Sequence, residues 1–482
     1  METKLAAMDT EKDGKGGLGQ WSLAFRNTLG ELCIWANTGA VMRRELEKAF
    51  DKMVVAFHNY KYDARELKAN GMPVPSKFHD TMVAAYCLGL GRQAPKEDSK
   101  SKSGSDMVGG LGLKYLARRH LGMEMDTWQE VKDRPELVPE YNAKDSVATY
   151  LLAEKWLPIL PKHYFTIDMP LLPVLMAMED RGIQIDPKFL ETFAKELDNR
   201  LADFDLPLNP FAAQEVSSYI YGTLGIEPWK FTDSGAPSTE KEVLEKIDDP
   251  VVKQIIEFKE LYKEKGTYVE NYINAADISG RIHPEIKQTS TSTGRLSIAR
   301  PNLQNVFKRD DRVALRALFT AREGYKIVRM DYDQMEWRAL AAITQDPTLL
   351  KALQSGKKIH QVTADQMGCT YYEAKVANFA IQYGAQAWTL AQELHCNIEQ
   401  ARQFIKTYFE RFPGVKKYQD MMKEIALSNK KVTNYFGRTR RIDAMYIDQW
   451  RVRDEGIKEA INMPIQGAGG EVCKLAMIAL HK

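Results

Sequence analysis

Three short apolar runs, LAAM, WSLAF and LCIW, follow one another within the first 35 residues, and a fourth, VVAFHN, comes soon after. Runs of this length between amphipathic stretches read as neighbouring strands with a later buried one, so the first third of the chain is an α/β layer. In that setting Asp9 and Glu11 stand two apart at the end of the first strand. Period-two geometry turns both carboxylates to one face. Asp63 follows the buried strand in HNYKYD, and YNAKD sets Tyr141 and Asp145 four apart, on one helical face.

Four acids and a phenol make an oxygen-rich set. Hydrolysis of a phosphodiester with two hard divalent cations needs such ligation, one ion activating water and the other stabilising the leaving oxygen, with Tyr141 to orient the water. A D-x-E pair alone is most often two solvated acids, and a lone tyrosine is most often core or helix surface; the joint pattern carries the reading.

The organisation of the rest is coarser. A chain of 482 residues exceeds what one hydrophobic core organises, so two or three domains are expected. Lys, Ser, Asp and Gly dominate a stretch at about 91–110, the composition of a mobile surface loop, before helix-like GLKYLARRHLG resumes. Apolar residues recur at helical spacing from Tyr141 to about Leu160, from Pro170 to about Arg200, and again up to Tyr272. Irregular, polar SGRIHPEIKQTSTSTGRLSIARPNLQN follows. Strand-like KIVRMD then runs into helix-like MEWRALAAI, and nearly everything beyond reads as helix except KKVTNYFGRTRR, a basic hairpin.

A net charge of +2 leaves any nucleic-acid surface to local clustering, with Lys430, Lys431, Arg438, Arg440 and Arg441 of the hairpin as one candidate. Cys33, Cys87, Cys369, Cys396 and Cys473 are far apart and form no C-x-x-C pair, against structural zinc and a disulfide framework. The N-terminus lacks an apolar signal core, and a cytoplasmic location is expected.

Two further features carry chemistry. Asp331 stands where KIVRMD ends, a rigid position for a metal-binding carboxylate. In KVANFAIQYG, Lys375, Phe379 and Tyr383 recur every four residues up to Gly384, a helix stop, while Ala377, Ala380 and Ile381 supply a separate apolar face. Positive charge for phosphate and flat rings for sugar and base suit a nucleotide.

DTE, HNxxxD and YxxxD in this order resemble the proofreading 3′-5′ exonucleases of the four-acid-plus-tyrosine type, over roughly the first 155 residues. The resemblance implies that Asp9, Glu11, Asp63 and Asp145 hold the metals, that Asn59 helps hold the DNA end, and that Tyr141 positions the nucleophile. From about Asp168 onward, TSTGRLSIARPNLQN, DYDQMEWR and KVANFAIQYG resemble family A DNA polymerases. That resemblance implies an α+β multidomain protein, a ribonuclease H-like exonuclease domain followed by a right-hand polymerase. Its expected parts are an exonuclease domain at 1–160, a connector and helical thumb at 161–290, a first part of the palm at 291–345, fingers at 346–460 with a nucleotide-binding helix at 371–384, and a palm helix at 461–482.

By the same resemblance Asp331 binds the catalytic metals and Glu336 crowds the sugar 2′ position. Lys375 and His360 contact the triphosphate, Phe379 packs on the sugar, Tyr383 sits beside the templating base, and Gln334 joins the nucleotide site. Arg295, Asn302, Gln304 and Asn305, with Lys458, Asn462 and Gln466 at helical spacing, hold primer-template DNA. Two Mg²⁺ or Mn²⁺ ions per active site and deoxynucleoside triphosphates are the implied cofactor and substrates.

The chain also departs from that pattern. Tyr371, beside Tyr372, stands where the family has an arginine, and Asp333 where it has a serine. The family's His-Asp-Glu hairpin has no counterpart before Lys482; the pair His79 and Asp80 lies in the exonuclease region. With Asp331 alone, half a two-metal site is present, and a palm sheet would keep an open edge. The expectation is a phage-type polymerase with an incomplete palm, either truncated or completed by a second chain. The alternative is a stand-alone exonuclease or an inactive primer-template-binding remnant. On either reading, the exonuclease is the activity expected of this chain unaided.

Overall fold

The computed structural model describes the chain outside residues 1–3, 13–17, 39–42, 91–109, 233 and 307–314, so the loop expected at 91–110 lies, but for Gly110, outside the described residues. The expected strands form: β1 (Lys4–Lys12), β2 (Leu18–Arg26), β3 (Leu32–Thr38), β4 (Met53–Phe57) and a short β5 (Phe78–Asp80). They make one sheet in the order β3-β2-β1-β4-β5. The hairpin strands pair antiparallel, whereas β1–β4 and β4–β5 are parallel.

Helices α1 (Arg43–Lys52), α2 (Tyr60–Ala69), α3 (Thr81–Cys87), α4 (Leu113–Leu121) and α5 (Val138–Trp156) complete the layer. The faces of β1 explain the packing. Ala7 joins Ala24 and Ala56 of the neighbouring strands in a patch of small buried side chains against Tyr150 and Ala153 of α5. Three alanines in a row across the sheet let the helix approach closely. Asp9 and Glu11 share the face of Ala7, so the same helix covers them. Met8 points the other way, into a cluster with Trp21, Leu23, Leu46 and Phe57.

The chain condenses into two units: residues 1–176, 287–297 and 331–482, and residues 177–286 with 298–330. These bounds run across the thumb and palm segments expected at 161–290 and 291–345. The helical pattern expected from Pro170 to Arg200 is two helices, α6 (Met169–Arg181) and α7 (Pro187–Ala202). Gly182 breaks it, with φ of 62° and a Cβ position 2.7 Å from the Ile282 carbonyl, where no side chain fits. The break lets β6 (Ile183–Gln184) pair with β7 (Arg281–Ile282). Phe193, Leu197, Leu261 of α8 (Pro250–Glu264) and Tyr272 fill the adjoining core.

The C-terminal part of the first unit is helical, as expected. It contains α9 (Met335–Thr344), α10 (Ile359–Met367), α11 (Tyr371–Gln382), α12 (Ile398–Arg411) and α13 (Pro413–Asn429), then the hairpin β8 (Lys431–Thr433) and β9 (Thr439–Arg441), and the long α14 (Trp450–His481). Trp337, Ile381, Tyr408, Phe412 and Met463 share its core. Pro464 interrupts the ladder of α14, and the Tyr418 hydroxyl donates to the Ile461 carbonyl in that turn at 2.7 Å.

One expected element does not form. KIVRMD is irregular, with Ile327, Val328 and Met330 exposed. A strand exists only through its ladder, and among the described residues no sheet includes this segment, so its apolar composition alone does not make it a strand.

Candidate nuclease and nucleotide sites

At the end of β1, ligand atoms of Asp9, Glu11 and Asp145 lie within 4.8 Å of one another. The strand presents the first two on the face that α5 covers, and α5 supplies the third. Asn142, one residue after Tyr141, donates from Nδ2 to Asp9 Oδ2 at 2.6 Å. Asp63 stands outside this trio. Its Oδ1 accepts from the amide and hydroxyl of Thr10, at 3.0 and 2.7 Å, and its charge still adds to the repulsion felt by Asp9.

Burial, then mutual repulsion, raises the carboxyls of Asp9 and Glu11, and Glu11 is pushed up to about 7. Burial likewise raises Asp63 and Asp145. Lys114 of α4 opposes the effect: it pairs with Asp145 and sits 4.0 Å from the centre of the Tyr141 ring. Burial and the adjacent acids hold the Tyr141 phenol well above its usual range, so it remains a hydrogen-bond donor, and Asp145 is its partner. An all-oxygen set of crowded acids fits hard divalent cations, which would remove the repulsion that now raises them.

Asn59 is exposed at the start of α2 in a left-handed conformation with φ of 76°. His79 and Asp80 are structural. Asp80 accepts from Tyr60 N at 2.8 Å and from Met82 N and Val83 N at 2.8 and 3.0 Å, capping α3 and holding the start of α2. Such a cap contributes roughly 1 kcal/mol.

The stripe on α11 forms. Phe379 and Tyr383 are stacked with centroids 6.4 Å apart, Lys375 is exposed beside them, and Ala377 and Ile381 are buried on the other face. Gly384 has φ of 78° where the helix stops. His360 joins the stripe, 5.3 Å from the Phe379 ring and 5.9 Å from the Tyr371 ring. Glu336 is the hub of a second group: Tyr383 and Arg295 both donate to its carboxylate, and Gln466 bonds Tyr383.

The remaining expected residues are placed as follows. Gln334 turns its Oε1 to the Ile359 amide at 2.8 Å and so caps α10. Asp333 lies 3.7 Å from Arg338, which accounts for an acid at that position as a surface ion pair. Lys458, Asn462 and Gln466 share one half-buried face of α14, with Lys458 paired to Asp454 and Glu455 at 3.2 and 2.7 Å. In the second unit, Asn302 accepts from Gln304 N at 2.9 Å, Gln304 from Ile298 N at 3.1 Å, and the Asn305 carbonyl from the Tyr268 hydroxyl at 2.7 Å. Asp331 is exposed and, among the described residues, joins no group of three or more metal-ligating side chains.

Within the hairpin, Arg438 has another role than the one expected. Arg438 is buried and bonds both oxygens of Asp168, at 2.7 and 2.8 Å, and Glu471. Lys474 lies 3.4 Å and His163 Nδ1 2.8 Å from Asp168. Arg440 pairs with Glu459 and Arg441 with Asp443. Arg438 is thus part of an internal network, because acids from distant segments meet it, while Lys431 stays exposed. Reading the sequence missed this network, as it missed Lys114 and Thr10. Asn142 was visible beside Tyr141.

Comparison with known proteins bears on both sites. Residues 188–482 match the family described as DNA polymerase family A, and residues 21–161 the one described as 3′-5′ exonuclease. DNA polymerase I of Chloroflexus aurantiacus is 31% identical over 466 residues, 88% of this chain and 48% of that protein. DNA polymerase I of Rhizobium leguminosarum is 32% identical over 460 residues, 88% of this chain and 44% of that protein. The chain therefore spans about half the length of these curated relatives. Among solved structures, the POL domain of Pol1 from M. smegmatis, in complex with DNA primer-template and dNTP, shares the fold with a TM-score of 0.81 at 23% identity. It covers 99% of this chain and 84% of that one. An α/β exonuclease layer ahead of a helix-rich part with the α11 stripe, and family matches over both, place the chain in DNA polymerase family A, with a 3′-5′ exonuclease domain at its N-terminal end.

Proposed function

We propose that this protein removes nucleotides from the 3′ end of DNA and that its C-terminal part serves template-directed DNA synthesis, with primer-template DNA and deoxynucleoside triphosphates as substrates. The observation that carries the first half is the convergence of Asp9, Glu11 and Asp145 within 4.8 Å. These three, with Asp63 beside them, would hold two Mg²⁺ or Mn²⁺ ions. Bound there, such ions supply an activated water and stabilise the leaving oxygen. Asn142 fixes the rotamer of Asp9, and Tyr141, kept protonated, offers an O–H at the same place to orient a water molecule. Asn59, exposed at the start of α2, is available to the DNA end.

For synthesis, Lys375 supplies charge for phosphates, Phe379 and Tyr383 supply ring faces, and Glu336, held by Tyr383 and Arg295, forms a fixed wall beside them. Asp331 would be the metal-binding carboxylate of that reaction. Arg295, Asn302, Gln304, Asn305, Lys458, Asn462 and Gln466 are the proposed DNA contacts. The protein would work in the cytoplasm; among the described residues no helix is long and apolar enough to cross a membrane.

The test is a 5′-labelled primer annealed to a template with Mg²⁺ and no nucleotides. The chain shortens the primer from its 3′ end, and Asp9→Ala abolishes the ladder. Persistence of shortening in Asp9→Ala would overturn the assignment.

A further inference from the structure

Behind the nucleotide face of α11 lies a buried polar network that meets that face at His360. Asn378, fully buried, alternates with the surface stripe and points inward. Its Oδ1 accepts from the Tyr408 hydroxyl of α12 at 3.1 Å, and its Nδ2 lies 3.0 Å from His360 Nδ1. Thr363 Oγ1 is 3.1 Å from Oδ1 and 3.0 Å from Nδ2, so it suits either orientation of the amide, and Tyr408 decides. Tyr408 is itself fully buried, and burial holds its phenol well above the usual range, so it keeps its proton to donate. Turning the amide over would aim its NH₂ at the phenol and remove the phenol's acceptor.

With Oδ1 on Tyr408, the NH₂ faces His360. An amide nitrogen only donates, so Nδ1 must accept, and the ring proton belongs on Nε2. An imidazolium would set an N–H against an N–H. The titratable groups around the ring act in the same direction or are neutral: Lys375 and Tyr371 on α11 and, beyond Asn378, Tyr408 on α12, while α9 contributes Trp337. Burial first, and then Lys375, lower the basicity of His360.

We infer that Asn378 is a positioning residue that holds His360 as a neutral imidazole protonated on Nε2, so that the nucleotide face presents a fixed hydrogen-bond donor beside Lys375. The inference rests on the nucleotide reading of that face. Charge attraction is then left to Lys375, and the donor does not vary with pH across the neutral range. Because Asn378 is adjacent in sequence to Phe379, one helix turn sets both the ring that meets a nucleotide and the amide that aligns the histidine.

The test uses the full chain labelled with ¹⁵N-histidine, with His360 identified by the signals lost in His360→Gln. Between about pH 6 and 8, Nδ1 is expected in the acceptor range and Nε2 in the protonated range of nitrogen shifts. Asn378→Asp keeps the shape but offers only acceptor oxygens; it should draw a proton onto Nδ1 and raise the titration of His360 by about one unit or more. Tyr408→Phe frees the amide and should give a mixture of tautomers, and it carries the test if the aspartate variant does not fold. A wild-type ring protonated on Nδ1, or an unchanged His360 titration in Asn378→Asp, overturns the inference. In parallel, His360→Ala should weaken dATP binding about tenfold, the loss of one hydrogen bond to a charged group. If the nitrogen shifts come out as expected while dATP binding in His360→Ala equals wild type, the tautomer assignment stands and the nucleotide reading fails.

Discussion

Asn142 reaches Asp9 at 2.6 Å from the helix that also carries Tyr141 and Asp145, so the orientation of one acid is set by an amide that need not touch DNA. Outer partners of metal-binding groups are typically worth about 10–100-fold in activity or metal affinity. Asn142→Ala should therefore slow 3′ shortening by about that factor and raise the Mg²⁺ concentration needed for half-maximal rate, read from a metal titration of the primer assay. Lys114 is the counterpart in charge. It pairs with Asp145 among acids that burial and repulsion both raise. Lys114→Met should lower the melting temperature of the chelator-treated chain by about 2–4 °C, for a loss on the order of 1 kcal/mol. Addition of Mg²⁺ should then stabilise this variant more than wild type. Equal gains with Mg²⁺ would show that Lys114 and the cation do not share a role.

Among the elements, the hairpin β8–β9 is tied down by Arg438 rather than by its ladder. Burial works against ionisation of Asp168, but Arg438, His163 and Lys474 outweigh it and hold the carboxyl below its ordinary value of 3.8. Gly294 makes room for this arrangement: with φ of 89°, its Cβ position falls 2.9 Å from Arg438 Nε and 3.2 Å from Glu471 Oε1. Arg438→Gln leaves Asp168 buried without its bidentate partner and should cost roughly 3–5 kcal/mol. A carboxyl lowered by folding stabilises fully above its unfolded value and loses that contribution as pH falls through the folded one. The melting difference between wild type and Arg438→Gln should thus be constant from about pH 7 to 4.5 and shrink below about pH 4. A difference that instead grew as pH fell would mean that another group governs the network.

For the whole molecule, the acids of the exonuclease layer and the stripe of α11 belong to separate stretches of sequence, 9–145 and 371–384, and each uses different side chains. Phe379→Ala should weaken deoxynucleotide binding about tenfold or more, the worth of one stacked ring, and leave 3′ shortening of the primer unchanged. A dATP binding titration beside the primer gel separates the two effects. Equal loss in both would show that the two sites are coupled through the fold.

Periodicity sufficed for what is local. Alternation along β1 set Asp9 and Glu11 on one face, and spacing of four set Tyr141 with Asp145 and Lys375 with Phe379 and Tyr383, because repeat geometry is a property of the backbone alone. The apolar run KIVRMD misled for the same reason, since strand formation depends on a neighbour that local pattern does not encode. Long-range partners decided the rest: Thr10 bonding Asp63, Lys114 among the acids, Asp168 and Glu471 around Arg438, and Tyr408 turning the Asn378 amide. Each pairs residues between 30 and 270 positions apart. The sequence by itself determined which faces carry acids, rings and charge; only the tertiary structure decided which buried polar groups meet, because desolvation favours a partner wherever the packed chain brings one.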